Sequence, residues 1–140
     1  MARTLMPAGL VDKKTAVANG STATLKLDNT FNERFQLDRL TVHAFDSTTG
    51  AKLPVDGDPN VSLNTLADAG NVTVQIRIGP DSVFTQPVQL THILDPQFAW
   101  QRIMPIIKPN VDIQLDITNS SGSTLDFSAL AWGGRIIRDN

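Results

Sequence analysis

Apolar and polar residues alternate with a period of two through much of this chain. Residues 72–78 read VTVQIRI, with each valine or isoleucine separated from the next by one polar residue. The same alternation occupies residues 22–29 and 111–118. Because successive side chains of a strand point to opposite faces, each segment is predicted to be a strand with one apolar and one wet face. Such strands are typical of antiparallel sheets packed as a sandwich.

Less regular segments with strand character lie between turn signals rich in Gly, Pro, Asn and Asp. These segments are residues 37–45, 60–66, 84–93, 97–107 and 125–138. Pro105 cannot donate a backbone hydrogen bond, so an uninterrupted central strand is not predicted around it. Gly133 and Gly134 predict a bulge or bend in the last strand. No internal repeat is visible along the sequence.

The strand pattern predicts an all-β fold, an antiparallel β-sandwich of seven or eight strands. The long connection at residues 46–71 suits a Greek-key crossing between sheets, which favours an eight-stranded jelly roll. An immunoglobulin-like sandwich is the alternative, although the Cys–Trp–Cys pattern of antibody domains is absent. A length of 140 residues suits one domain. We predict a single sandwich domain over residues 15–140, preceded by an extended N-terminal arm, residues 1–14, outside the sheets.

Composition narrows the classes of partner. The chain has 12 basic and 14 acidic residues, for a formal net charge of -2, without the basic cluster expected of a nucleic-acid-binding surface. Cysteine is absent, which excludes disulfides, thiolate metal sites and cysteine nucleophiles. The first residues lack an apolar stretch of signal-peptide length, and no apolar run approaches the ~20 residues of a membrane-spanning helix. We expect a soluble protein that binds neither nucleic acid nor membrane.

Candidate catalytic and metal-binding residues are sparse. His43 and His92 lie on separate predicted strands without a closely spaced third ligand, so both are expected to be structural or surface residues. Asp56 and Asp58 could supply oxygen ligands to Ca²⁺, but the remaining EF-hand positions are missing, and an Asp-Gly turn is the favoured interpretation. A Gly-x-Ser-x-Gly elbow and a phosphate-binding loop are also absent. We predict a protein without catalytic activity, metal or cofactor.

The two tryptophans are the aromatic residues best suited to binding. The chain has no tyrosine, and Phe127 is expected in the core. For Trp100 and Trp132, core and interface positions both fit the pattern. Arg102 lies beside the first tryptophan and Arg135 close to the second, and aromatic residues and arginine are enriched at protein interfaces. Both pairs are therefore candidate protein-interface residues.

The last third of the chain resembles a known family. An apolar segment containing a proline, residues 103–107, is followed by Pro-Asn at 109–110. An alternating strand then runs into ITNSSGS at 117–123, and the final strand closes with LAWGGRII at 130–137. This order resembles small jelly-roll proteins associated with the capsids of tailed bacteriophages, which are called cement or decoration proteins.

The resemblance implies a structural virion protein. Proteins of this family bind the outside of the major capsid shell and stabilise it by bridging capsomers, usually as homodimers or homotrimers. The resemblance therefore implies the major capsid protein and a second copy of the chain as partners. It also implies synthesis in the host cytoplasm and final location on the virion surface. The alternative is a carbohydrate- or receptor-binding β-sandwich module of a phage tail or fibre, which would use an exposed tryptophan.

Eight residues are predicted to form the protein interface. The N-terminal arm is expected to reach onto a neighbouring molecule because its apolar residues serve no predicted sheet, and the tryptophan–arginine pairs extend the contact. The predicted interface residues are Arg3, Leu5, Met6, Leu10, Trp100, Arg102, Trp132 and Arg135.

Overall fold

The computed structural model describes residues 3–48, 50, 72–90 and 105–139, with side chains from residue 4 to residue 137 within these ranges. Nine β-strands form in the described ranges. They are β1 (Arg3–Val17), β2 (Thr22–Asp28), β3 (Phe35–Asp46), β4 (Val72–Ile78), β5 (Asp81–Ser82), β6 (Val88–Gln89), β7 (Ile106–Ile107), β8 (Asp112–Asn119) and β9 (Leu125–Asp139).

The strands with the most regular alternation are confirmed as β2, β4 and β8. The predicted strands at 37–45 and 125–138 are confirmed as β3 and β9. The described part of 84–93 contains only the short β6, and the described end of 97–107 contains β7. The candidate strand at 60–66 lies outside the described residues.

The strands form two antiparallel sheets with the orders β1-β9-β3-β7 and β2-β8-β4-β5, which we call sheet A and sheet B. Both β5 and β6 pair with β4, the first beside Arg77 and Ile78 and the second beside Thr73 and Val74. These two short strands therefore share one edge position, so the nine strands fill eight positions within the described ranges. Apart from β4 to β6, consecutive strands alternate between the sheets, which is the order of the predicted jelly roll.

The core lies between the apolar faces of the two sheets. In β8, Ile113, Leu115 and Ile117 are fully buried, whereas the intervening polar residues are only partly buried. Sheet A contributes Phe35 and Phe127, the largest fully buried side chains of the described residues. Complete burial of a side chain of this size stabilises the fold by roughly 1.5–3 kcal/mol. The period-two pattern therefore identified the inward faces correctly, including Phe127 as a core residue.

The N-terminal segment is a strand of sheet A, not an arm outside the sheets. β1 pairs with β9 from Arg3 opposite Asp139 to Val17 opposite Leu125. Ala8 and Leu10 on its inner face are buried in the sandwich. Without β1, the N–H and C=O groups along one edge of β9 would have no strand partner, which is the physical reason for the pairing. The short and irregular alternation of this segment concealed its strand character.

The structure has a bulge beside the paired glycines of β9. It lies in the neighbouring strand, β3, and not in β9 itself. Leu37 of β3 lies opposite Gly133, and Arg39 lies opposite Trp132, so Asp38 is the extra residue. A Cβ atom at Gly133 would clash with the backbone oxygen of Gln36. Glycine is required at this position because the backbone of β3 approaches too closely for any side chain.

Asn119, at the end of β8, is fully buried and joins three segments of the chain. Its Nδ2 donates to the backbone carbonyls of Val17 at 2.9 Å and Ser123 at 2.7 Å. Its Oδ1 accepts from the backbone N–H of Ser121 at 3.1 Å and from the hydroxyl of the same serine at 2.7 Å. The sequence predicts only a turn here, whereas the asparagine also fixes the end of β1.

Asn29 makes the equivalent contacts near the opposite end of the β2–β8 ladder. Its Nδ2 donates to the backbone carbonyls of Ile107 and Glu33, both at 3.1 Å, and its Oδ1 accepts from the N–H of Phe31 at 3.2 Å. Ile107, Glu33 and Phe31 around Asn29 correspond to Val17, Ser123 and Ser121 around Asn119. The two members of each pair are 90 positions apart, and so are the two asparagines. Asn29 is also fully buried.

The two asparagines belong to an internal structural repeat. Leu25 and Leu115, which are also 90 positions apart, lie directly opposite each other in the β2–β8 ladder. Gly20 and Asn110, with the same offset, both have left-handed φ angles of 86° and 63°. An approximate two-fold rotation about the centre of this ladder therefore relates β1–β3 to β7–β9. The repeat escaped sequence analysis because it keeps buried positions and turn geometry with little residue identity.

Candidate protein-binding face

The outer face of sheet B is polar and forms hydrogen bonds within itself. Asp116 of β8 accepts from the hydroxyl of Thr24 at 2.9 Å, from the amide of Gln114 at 3.2 Å and from the guanidinium of Arg77 at 2.8 Å. Partial burial raises the pKa of Asp116, but these hydrogen bonds and the arginine charge outweigh it and lower that pKa below its ordinary value. These polar groups are therefore paired with one another, except for Nε of Arg77, which is buried without a hydrogen-bond partner.

The outer face of sheet A carries exposed apolar side chains. Val11 of β1 lies directly opposite Leu130 of β9, and two residues away Gly9 lies opposite Trp132. Directly opposed residues of antiparallel strands point to the same face, so these side chains form one patch, together with Leu5 of β1. The exposed fractions are 43% for Leu5, 71% for Val11, 36% for Leu130 and 47% for Trp132. We call these four residues the apolar strip.

Two glycines leave room for the side chains of the apolar strip. A Cβ at Gly9 would lie 3.1 Å from Cδ1 of Leu130 and 3.5 Å from Cε3 of Trp132, so both side chains rest against the bare backbone of β1. A Cβ at Gly134 would lie 3.0 Å from Cβ of Leu5. The missing side chains let large apolar groups spread along the sheet.

A shallow slot of about 330 Å³ lies at one end of the apolar strip. β1 contributes an apolar wall, β3 contributes a polar wall, and the paired glycines of β9 lie between them. The slot is lined by Leu5, Pro7, Gln36, Asp38, Trp132, Gly133 and Gly134. It is therefore a groove with an aromatic group and a carboxylate on its boundary.

Arg135 is committed to contacts within the chain. Its Nη2 and Nε donate to the two carboxylate oxygens of Glu33 at 3.0 and 3.2 Å, and its guanidinium carbon lies 4.7 Å from the ring centre of Phe31. Hydrogen bonding from Arg135 is the main cause that lowers the pKa of Glu33 below its ordinary value. Nη1 also lies 3.6 Å from the sulfur of Met6. This arginine joins β1, β9 and the loop before β3.

The predicted interface residues separate into four groups. Leu5 and Trp132 come together in the apolar strip, whereas Leu10 is 4% exposed and belongs to the core. Met6 is exposed but adjoins Arg135 rather than the strip. The structure does not describe the remaining side chains, those of Arg3, Trp100 and Arg102.

Val11 and Leu130 are strip residues that the sequence analysis missed. Each is a single apolar residue at an outward position of its strand, and such residues are ordinary on protein surfaces. What identifies them is the register of β1 against β9, which places them directly opposite each other. They become a patch only when β1 pairs with β9, and the N-terminal segment was predicted to lie outside the sheets.

The metal candidates do not gather into a site within the described ranges. His43 lies on β3 as predicted, and no group of three or more His, Asp or Glu side chains suited to a metal ion occurs among the described residues. His92, Asp56 and Asp58 fall outside these residues. The described part of the chain also contains no helix that is long and apolar enough to cross a membrane.

Comparison with protein-family models, with curated proteins and with solved structures finds no match to this chain. Functional inference therefore rests on the residues, on their geometry and on the resemblance in the last third of the sequence.

Proposed function

We propose that this protein is a structural virion protein without catalytic activity, a cement or decoration protein that binds the outside of a major capsid shell and bridges capsomers. The observation that carries the proposal is the contrast between the two outer faces of the sandwich. Sheet B presents the hydrogen-bonded network around Asp116, whereas sheet A presents the apolar strip. The resemblance of residues 103–137 to phage cement proteins supplies the identity of the partner.

The apolar strip suits a protein partner on physical grounds. Contiguous apolar groups that extend over two strands mark interaction sites more often than scattered ones do. Trp132 is of the residue type most enriched among the residues that dominate binding energy. A shell offers the same contact at many symmetric positions, so a homodimer or homotrimer would gain avidity from contacts that are weak individually.

The test is co-sedimentation of the full chain with empty shells assembled from the major capsid protein encoded in the same genome. We expect Trp132→Ala and Val11→Ser to weaken binding at least about tenfold, since each removes about 1.4 kcal/mol or more of apolar contact. Val83→Ser is the matched control, because Val83 is 39% exposed but lies after β5, beside sheet B. It should bind as the unaltered chain does.

Two results would contradict the proposal. Absence of shell binding by the unaltered chain would remove the capsid role, and equal weakening by Val11→Ser and Val83→Ser would remove the assignment to sheet A. Glycan binding that depends on Trp132, together with absence of shell binding, would favour the carbohydrate- or receptor-binding alternative.

A further inference from the structure

The slot at the end of the apolar strip has the features of a receptor for one basic side chain. We propose that it receives an arginine of the shell protein, with the guanidinium stacked on the indole of Trp132 and paired with the carboxylate of Asp38. This inference rests on the proposed function, because it names the chemistry by which the same face would recognise its partner.

The apolar wall of the slot fits the stem of an arginine. Leu5 and Pro7 of β1 line one side, and Gly133 and Gly134 form the base without side chains of their own. Arginine buries its methylene groups along apolar surfaces while its charged end stays polar. A volume of about 330 Å³ leaves room for one such side chain beside the indole.

The carboxylate of Asp38 is the charged group of the slot, and it has no partner among the described residues. Asp38 is the extra residue of the β3 bulge and is exposed at the slot. Within the described part of the chain, its carboxylate accepts no hydrogen bond and has no basic group at ion-pair distance. By contrast, Glu33, Asp116 and Asp126 all bond to groups of the chain itself. An incoming cation would therefore meet a carboxylate that is available.

The pairing of an aromatic ring with a carboxylate favours arginine over other ligands. A planar guanidinium stacks on an indole and donates a fork of N–H groups to a carboxylate at the same time. Lysine offers a point charge without the stacking plane. Arg39 follows Asp38 and lies opposite Trp132 in the ladder, so an incoming arginine must also tolerate one neighbouring positive charge. A planar group that spreads its charge tolerates this better than an ammonium does.

The first experiment uses small probes and the full chain. A blocked Gly-Arg-Gly tripeptide is titrated while the indole N–H resonance of Trp132 is followed by NMR, with the assignment made from Trp132→Phe. The arginine peptide should shift this resonance, the lysine peptide should shift it less, and the peptide with citrulline in place of arginine should leave it unchanged. Asp38→Asn should abolish the response, whereas Asp28→Asn, an exposed aspartate at the end of β2, should preserve it.

The second experiment repeats co-sedimentation with shells, using the same two aspartate variants. We expect Asp38→Asn to weaken binding about tenfold, as for the loss of one charge-assisted hydrogen bond, and Asp28→Asn to have no effect. If the shell binds both variants as it binds the unaltered chain, the arginine inference is wrong and the proposed function stands. If the unaltered chain binds no shell, the proposed function fails.

Two outcomes of the titration would overturn the inference about the slot, whatever the shells do. Equal shifts with the arginine and citrulline peptides would show that the carboxylate recognises no charge. A shift produced by oligosaccharides but by none of the peptides would assign the slot to a glycan.

Discussion

Replacement of Asn119 by alanine is the sharpest test of how the fold is held together. Asn119 is fully buried and makes four hydrogen bonds. Asn119→Ala removes all four and leaves the carbonyl of Val17 without its side-chain donor, while the carbonyl of Ser123 keeps only the hydroxyl of Ser121 at 3.3 Å. The backbone N–H of Ser121 loses its acceptor as well. The loss of stability comes mainly from buried polar groups that are left without a hydrogen-bond partner, and not only from the lost contacts themselves.

The expected loss of stability can be worked out from the number of backbone groups that lose a hydrogen-bond partner. A buried polar group left without a partner costs about 1–3 kcal/mol. Three backbone groups are affected, and water that enters the space left by the side chain offsets part of the penalty. We therefore expect the free energy of unfolding to fall by about 3–5 kcal/mol. That loss is a large share of the roughly 5–15 kcal/mol that stabilises a domain of ordinary size.

The assay is equilibrium unfolding in urea, followed by tryptophan fluorescence and by circular dichroism. With a slope of about 1–3 kcal/mol per molar urea, the expected loss moves the midpoint by roughly 2 M. Asn29→Ala should behave alike, because the structural repeat gives Asn29 equivalent contacts. Asn19→Ala is the matched control. Asn19 is exposed and accepts one hydrogen bond, from the N–H of Gly122 at 3.0 Å, so its loss should cost less than about 1 kcal/mol.

Equal losses of stability in Asn119→Ala and Asn19→Ala would contradict this role of the buried asparagine. The equivalence of the two asparagines would fail if Asn29→Ala were harmless while Asn119→Ala was severe, because the repeat would then have no energetic meaning.

Two further predictions concern the backbone approach in sheet A and the acid response. Gly133→Ala should lower the free energy of unfolding by about 3 kcal/mol or more, because its Cβ would clash with a backbone oxygen. Gly9→Ala should be tolerated, because it meets flexible side-chain atoms, and equal thermal shifts would contradict this account. Hydrogen bonds from the N–H of Ala16 and the hydroxyl of Ser47 lower the pKa of Asp126 in the folded chain. The stabilisation that these hydrogen bonds give is complete above the unfolded pKa of about 3.9. It is lost as the pH falls through the lower pKa of the folded chain. Asp126→Asn should therefore flatten the fall of the urea midpoint below about pH 4, and an unchanged slope would contradict it.

The strands and the buried faces could be predicted from the sequence because they depend on local alternation. Residues 72–78 and 111–118 have one face buried in the sandwich, so a shift of one residue would turn their apolar side chains to water. This constraint leaves a clear trace in sequence. The jelly-roll architecture could be anticipated for the same reason, since most of its strands were visible in the sequence, although β1 and the pairing were not.

The candidate face could not be predicted because it depends on pairing between distant segments. Trp132 was identified by residue type alone. Val11 and Leu130 become neighbours only through the register of β1 against β9. The role of Arg135 was also hidden, since its partner Glu33 lies 102 positions away. Residue type alone made both Arg135 and Trp132 interface candidates. The structure shows that Arg135 forms contacts within the chain, whereas Trp132 is exposed.

The glycine at position 9 bears on why the outer face of sheet A is shaped as it is. Glycine in the interior of a strand weakens the fold by roughly 0.5–1 kcal/mol relative to alanine. The space here would admit alanine with a small movement of Leu130, and no left-handed φ requires glycine. Stability alone would therefore favour a side chain at this position. The absence of a side chain at position 9 allows the Trp132 ring to rest against β1. The lower stability at this position is explained if the face binds a partner, as we propose.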